Sequence, residues 1–408
     1  MDNISLSNNY RNWTFFLTAC LLVFTNFFAS LTILPLYAIE LGGTEFDAGF
    51  QTALFFVAAV LMRFYFGPLA DRTGRKIPLL IGSFAFATAP ILFIFSSNLW
   101  MLALARMYQA VGLAAYFSSA SSLTADLAPQ DKLGKYIGAF RMTNTVGLLI
   151  GPLLANYLIK NNGFSSWFLM NLFLGLLALG IMGLVEAPRL RSGGEANAVK
   201  KLAAIVKNKA LYPIYFGIAL TATGYGTIIA FGSIYFKEST DIVNSGIYYT
   251  YFALAGIVAS IGVGYLADRF QRAVVVWSVV ITLGVGSLLL FLLPSIPQLL
   301  IVSSLLAGFG FSGGLLALIA WLVDTAGPEN RATALAMQDN TIDSSIALSS
   351  FVFGMASGYM GLQTSFGLLG IIIAITATCL LLYTLLAKGV LTEPKEVYQD
   401  DHTGKGTN

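Results

Sequence analysis

The sequence predicts an all-α polytopic membrane protein, with 12 transmembrane helices in two six-helix pseudo-symmetric halves. Three observations predict it. First, 57% of the 408 residues are hydrophobic and only 11% are charged, against the roughly 25% charged that a soluble domain carries. Too few charges remain to cover the surface of a soluble fold this long. Second, the apolar residues are gathered into long runs. Third, a charged loop between two such runs recurs at a fixed distance along the chain.

The runs justify the spans in order. Six lie near 13–39, 48–69, 77–97, 99–125, 136–159 and 164–187, and six more near 211–236, 246–267, 273–293, 297–323, 333–360 and 364–388. Each holds about 20 residues or more, enough to cross a hydrocarbon core of ~30 Å. The first run is too long for the apolar core of a signal peptide and lacks a small-residue cleavage pattern, so it reads as a retained span. With the N-terminus placed in the cytoplasm, most of the 23 basic residues fall in cytoplasmic segments and only Lys160 and Lys237 fall opposite. Arg63, Arg106 and Arg141 lie within spans. The positive-inside rule therefore predicts an integral protein of the cytoplasmic (inner) membrane with both termini cytoplasmic.

Residues 188–210, PRLRSGGEANAVKKLAAIVKNKA, form the longest polar interruption. They read as a cytoplasmic basic linker, either a plain solvated connection or a short amphipathic helix on the anionic inner leaflet. The chain then divides into an N-terminal half (1–187), the linker (188–210), a C-terminal half (211–388) and a cytoplasmic tail (389–408). The halves resemble each other. GPLADR at 67–72 returns as GYLADR at 264–269, and the loop from Asp126 to Lys132 returns from Asp324 to Arg331. Repeats of this kind mark transporters whose two halves rock around a site near the midplane.

At this point the chain resembles the major facilitator superfamily over nearly its whole length. GPLADRTGRK at 67–76 is similar to the family's motif between spans 2 and 3, and GYLADRFQR is its degenerate second copy. Arg106-Met-Tyr-Gln109-Ala-Val-Gly112 in span 4 resembles the R-x-x-Q-G-x-G motif, with Ala110 replacing a glycine. Gly138, Gly147, Gly151 and Pro152 in span 5 are similar to the family's antiporter motif, although Ala155 and Asn156 replace its last glycines. Together these resemble the twelve-helix drug:proton antiporter group.

The resemblance implies roles for residues. Asp71, Arg72 and Arg75 would form a gating loop, with Asp268, Asp126 and Asp324 in equivalent gating positions. Asp71 would approach the N-terminal end of span 11, where the helix dipole favours a carboxylate. The span-5 glycines would either seal the centre against ion leak or simply let another helix pack closely. Arg106 would face the cavity and take part in proton movement.

Charges inside the membrane are costly and mark function or pairing. Asp339 and Asp343 stand four apart on span 11 and so share a face; they lie roughly 9 and 15 Å from its cytoplasmic end. Arg63 lies roughly 12 Å up span 2 from Asp71; the resemblance implies that spans 2 and 11 are neighbours, so an Arg63–Asp339 ion pair is the expected one, structural or functional. Asp343 lies deeper with no evident partner and is a candidate, with Asp339 and Arg106, for proton coupling. Arg141 would line the cavity or meet an anionic group of the cargo. Tyr108, Tyr116, Tyr225, Trp321 and Asn26 are candidate substrate contacts, since aromatic and small polar side chains suit amphipathic or cationic cargo.

No enzyme, cofactor, metal or nucleic-acid signal is present: His402 is the sole histidine and there is no phosphate-binding GxxxxGK[ST] loop. The expected partners are protons, membrane lipid and a small molecule, and the family resemblance implies a monomer. The sequence thus favours a proton-coupled exporter of an amphipathic, drug-like molecule working by alternating access. Its rivals are an exporter or proton symporter of an anionic metabolite, such as a metal-chelating organic acid, and a scaffold that keeps only the fold.

Overall fold

The computed structural model describes residues 2–129, 132–187, 198–239, 244–327 and 329–386, and no strand occurs among them. Eleven α-helices follow in order among these residues: α1 (Asp2–Glu40), α2 (Glu45–Thr73), α3 (Lys76–Phe95), α4 (Leu99–Leu127), α5 (Leu133–Leu184), α6 (Ala198–Lys207), α7 (Tyr212–Ser239), α8 (Gly246–Arg269), α9 (Arg272–Leu289), α10 (Leu299–Ala326) and α11 (Arg331–Leu386). Nine of the described helices are long and apolar enough to cross a membrane. α4, diluted by Arg106, Gln109 and a run of serines, is not among the nine, nor is the short α6.

Two of these helices are too long for one crossing. At ~1.5 Å per residue, the 52 residues of α5 would extend about 78 Å. Gly163 breaks α5 at φ 78°, ψ 175°, and Gly361 breaks the 56-residue α11 at φ 79°, ψ 157°. The Ser166 hydroxyl donates to the Leu158 carbonyl eight residues earlier at 3.2 Å, so the chain folds back there. The predicted count of twelve spans is reached when the two arms of α5 and of α11 are counted separately and α4 is included.

Both break conformations belong to a region open essentially to glycine alone. A Cβ at either position would meet no neighbour within 4 Å, so a substitution there would cost backbone strain and nothing else. Gly163→Ala is expected to destabilise the fold by about 1–3 kcal/mol. Thermal unfolding in detergent, with Gly180→Ala as the control at a helical glycine in open space, checks this.

Helix ends follow ordinary chemistry. Thr44 and Asp47 form a reciprocal capping box at α2, and Asn98 Oδ1 accepts from the Met101 amide at the start of α4. Within the spans, the hydroxyls of Thr25, Thr52, Ser122 and Thr221 donate to carbonyls four residues back. Polar side chains are thereby satisfied without water.

Helices α1–α5 pack among themselves, as do α7–α11, and the two sets meet along α2–α11, α5–α8 and α1–α7. The side on which α1 begins and α2 ends is called here the basic face, and the other the far face. Close contacts between the sets cluster toward the far face. Ser245 donates to Asn156 Oδ1 at 2.9 Å, Asn244 to the Leu153 carbonyl at 3.1 Å, and Thr250 to the Leu149 carbonyl at 3.1 Å. Toward the basic face the seam loosens: Arg141 and Asp339 are exposed.

α6 realises the helical alternative for the second part of the linker. Residues 188–197 and 387–408, hence the first part of the linker and the tail, lie outside the described residues.

Candidate functional site

A charged clasp from α2 to α11 joins the two sets. Arg63 Nη2 lies 2.5 Å from Asp343 Oδ2, and Arg63 Nη1 donates to Asn340 Oδ1 at 3.2 Å. The side chains of Arg63 and Asp343 are 15% and 9% exposed. Asn340 and Asp343, three apart on a helix, present one fork to one guanidinium.

This corrects the expected ion pair: Arg63 meets Asp343, one turn deeper than Asp339. Rise along a helix places only the Cα of Arg63; the arginine side chain carries its charge well beyond that, to the deeper carboxylate. Asp339 accepts from the neighbouring Gln338 amide at 3.1 Å and lies within electrostatic reach of both Arg63 and Arg141. Asp343 is within similar reach of Asp339 and of Tyr225. Two acids and two bases from α2, α5 and α11 thus form a charge-balanced group, Asp343 buried and Asp339 open to solvent.

A buried pair of this kind is a finely balanced element. Desolvation costs several kcal/mol per ion, and the mutual attraction offsets it only while both partners stay charged and hydrogen-bonded. Neutralising either partner leaves the other exposed to the full penalty. The clasp can therefore respond to a single proton.

The other candidate residues are placed as follows. Tyr225 is 7% exposed and stacks on Phe311, with ring centroids 4.0 Å apart and planes 8° apart; Phe252 adjoins both rings. Across the seam, Phe24 sits against Phe117 at 5.1 Å and Phe140 at 5.6 Å. These phenylalanines escaped sequence reasoning, because in spans so rich in Phe nothing separates a lining ring from a packing ring. Trp321 is partly buried against the core shared by α7–α11.

Three candidate contacts are instead committed to packing within α1–α5. Tyr116 is fully buried, donates to Cys20 Sγ at 3.3 Å and lies against Gly82. The Tyr108 hydroxyl is 2.6 Å from that of Thr88 on α3. Asn26 donates to the Asn171 carbonyl at 2.8 Å, tying α1 to the second arm of α5. The polar side chains of α4 are spread around its axis, so its periodicity gives no sign of which face meets the cleft.

Arg106 is 1% exposed, donates to Gln109 at 2.9 Å and lies 4.4 Å over the Phe55 ring. Its contacts are with these residues and not with Asp339 or Asp343. In the span-5 motif, Gly147 packs on Phe24 and Thr25, and Gly151 on Thr25 and Ala29, both of α1. Gly138 is exposed and a Cβ there would meet nothing within 4 Å, so close packing begins only at Gly147, nine residues further along the span. Pro152 is buried at the α5–α8 seam, its carbonyl against Gly246.

At the basic face the repeat reappears as geometry. Arg75 Nε lies 3.7 Å from Asp126 Oδ2, and Arg272 Nε lies 3.2 Å from Asp324 Oδ2, with Asp268 also bound to Arg272 at 3.2 Å. Each pair joins helix ends within its own set. Arg72 stands in the last turn of α2; the side chain of Asp71 lies outside the described residues. Because Arg272, Asp268 and Asp324 are partly open to solvent, Asp268→Asn is expected to change stability by less than about 1 kcal/mol. Thermal unfolding at low and high salt checks this, with any loss shrinking at high salt.

Helices of this length in this arrangement, two sets joined by a charged clasp at the seam, define a polytopic membrane protein. The sequence pattern of the Major Facilitator Superfamily matches residues 15–261 and 214–404. The chain belongs to that superfamily and is not an enzyme. An uncharacterized MFS-type transporter of Methanocaldococcus jannaschii is 30% identical over 146 residues, 36% of this chain and 38% of that protein. The match therefore spans well under half of the archaeal protein's length. The multidrug resistance protein MdtG of Citrobacter koseri is 25% identical over 272 residues, 64% of this chain and 67% of that protein. Among solved structures, a bacterial homolog of the human lysosomal transporter Spinster, inward-facing and unoccupied, aligns with a TM-score of 0.79 at 16% identity, covering 95% of this chain and 99% of that one. A point mutant of the nucleoside transporter NupG aligns at 0.75 and 15% identity, covering 92% and 99%. These two likenesses concern the fold.

Proposed function

We propose that the protein exports a small amphipathic molecule in exchange for protons, by alternating access, with Asp343 as the coupling carboxylate and Arg63 as its switch. The observation that carries this reading is the Arg63–Asp343 pair: a buried acid and a partly buried base, contributed by the two sets of helices, at the seam between them. When a proton neutralises Asp343, Arg63 loses its counter-ion and the α2–α11 seam loses its ion pair. A cationic cargo group competes with the proton for the same carboxylates, so one is bound as the other leaves. Asp339, exposed and one turn nearer the basic face, gives protons a way in from that side. The Tyr225–Phe311 stack and the Phe24–Phe117–Phe140 cluster offer ring faces to an apolar body. The similarity to MdtG, named for multidrug resistance, supports the same cargo class.

A second reading is favoured by Arg141, exposed near Asp339: an anionic cargo, such as a chelating organic acid, would meet that guanidinium. Either reading takes residues 1–187 and 211–388 as the rocking halves, the basic face as cytoplasmic, the inner membrane as the location and the monomer as the working unit.

Everted vesicles containing the protein, energised to an acid interior and reported by a pH-quenched dye, test it. Dequenching on addition of amphipathic cations is expected. Dequenching by carboxylates alone would transfer the assignment to the anionic cargo, and none by either class would overturn proton-coupled export.

A further inference from the structure

α6 has ten residues, AVKKLAAIVK, and enters α7 through a rigid elbow rather than a loose tether. Asn208 Oδ1 accepts from the Ala210 amide, residues Lys209–Leu211 make one 3₁₀ turn, and Leu211 is fully buried. The Tyr212 hydroxyl reaches back to the Val206 carbonyl at 2.9 Å, fixing the last turn of α6 beside the first turn of α7.

One edge of the apolar stripe on α6 faces protein. Ile205 is 2% exposed and packs in the same core as Leu211, Ile214 and Ala334, the last on α11. The rest of the stripe has no protein cover among the described residues: Leu202 and Val206, four apart on one face, are 46% and 49% exposed. Their surroundings say what covers them. Val206 adjoins Tyr212, and Tyr212 and Phe216, also four apart, are 54% and 50% exposed on α7, which spans the membrane. The bare stripe of α6 therefore continues the lipid-facing stripe of α7. Residues 198–212 carry Lys200, Lys201, Lys207 and Lys209 and no acid. An apolar stripe in a segment with four lysines and no acid, Lys207 and Lys209 exposed beside it, fits an anionic leaflet at the level of the headgroups.

We propose that α6 lies in the membrane interface and binds anionic phospholipid, and that through Ile205 it fixes the basic-face end of α11, the helix that carries Asp339 and Asp343. Lipid charge then sets how firmly α11 is held, independently of what the protein carries.

The test uses the full chain with Cys20 and Cys379 replaced by Ser, in nanodiscs of phosphatidylcholine with or without phosphatidylglycerol. A nitroxide is placed at Leu202→Cys, Val206→Cys or, as a control off the stripe, Ala204→Cys, and its access to oxygen and to a water-soluble nickel chelate is read by electron paramagnetic resonance. Labels at 202 and 206 are expected to favour oxygen in anionic discs while the label at 204 favours nickel. Lys207→Gln and Lys209→Gln should each reduce the inserted population about fivefold, as expected for one lysine near an anionic surface. Equal nickel access at 202 and 204 in anionic discs would overturn the proposal, as would insertion indifferent to phosphatidylglycerol. So would loss of protection at 202 and 206 on deleting residues 389–408, which would make the acidic tail the occupant. Spectra of the Lys variants at position 204 report whether α6 remains helical, which separates lost lipid binding from lost folding.

Discussion

Asp343→Asn is expected to abolish substrate-evoked proton release from everted vesicles while leaving the protein folded and in the membrane. The amide keeps the shape of the carboxylate and still accepts from Arg63, but it cannot carry a proton at physiological pH. Loss of coupling alone would not separate a proton site from a structural tie, so the argument needs the partner. Arg63→Gln leaves Asp343 buried without its counter-ion, which is expected to destabilise by about 3–5 kcal/mol. In the Arg63→Gln/Asp343→Asn double variant no charge remains at the clasp, and most of that stability should return. Coupling should not return, because the titrating group is still missing. Thermal unfolding and dequenching, measured on all four proteins, form a double-mutant cycle that reports the pair directly. A double variant that recovers stability and transport together would make the clasp purely structural. Coupling that survives in Asp343→Asn would move the proton site to Asp339.

Much of this fold is legible in the sequence because the bilayer restricts the choices: backbone groups in lipid must be satisfied internally, so long apolar runs are helices. The breaks at Gly163 and Gly361 sit between predicted spans, where a φ near +80° requires glycine. The repeat is legible too, and the Arg75–Asp126 and Arg272–Asp324 pairs occupy matching places in it. What sequence reasoning could not reach is orientation about a helix axis. Tyr116 and Asn26 carry the right chemistry for a cleft, yet each turns into packing between α1 and its neighbours. In a soluble helix a polar stripe would betray the outward face; in a span wrapped by lipid and protein, both sides are apolar. The pairing at the clasp was out of reach for a related reason. Asp339 and Asp343 share a face, so only the approach of the neighbouring helix decides which one Arg63 meets.

Two glycines that the repeat relates sit in tight contacts between the two sets toward the far face. Gly49 at the start of α2 and Gly246 at the start of α8 stand 197 residues apart, the offset that also relates GPLADR to GYLADR. Their partners, Ser350 on α11 and Pro152 on α5, are related by an offset of 198. A Cβ on Gly246 would fall 2.6 Å from the Leu153 Cα and from the Pro152 carbonyl. One on Gly49 would fall 2.9 Å from the Phe231 ring and closer still to the Ser350 carbonyl. These obstacles are mostly backbone, and backbone yields only if a helix slides. Gly49→Val or Gly246→Val is therefore expected to cost the sealed arrangement about 1–3 kcal/mol, shifting the protein toward a far-face-open state roughly 5- to 150-fold. The two sites lie on different seams, so the double variant should shift it by about the product of the single effects. Labelling of Ser350→Cys or Phe231→Cys by a membrane-impermeant thiol reagent, added from the far side, reads the shift. Unfolding temperature, measured alongside, keeps the outcomes apart. Faster labelling in a protein that stays folded means that these glycines hold a gate. A lower unfolding temperature without faster labelling means that the seam stays shut throughout the cycle, and that alternating access in this chain does not part α2 from α11 at its far end.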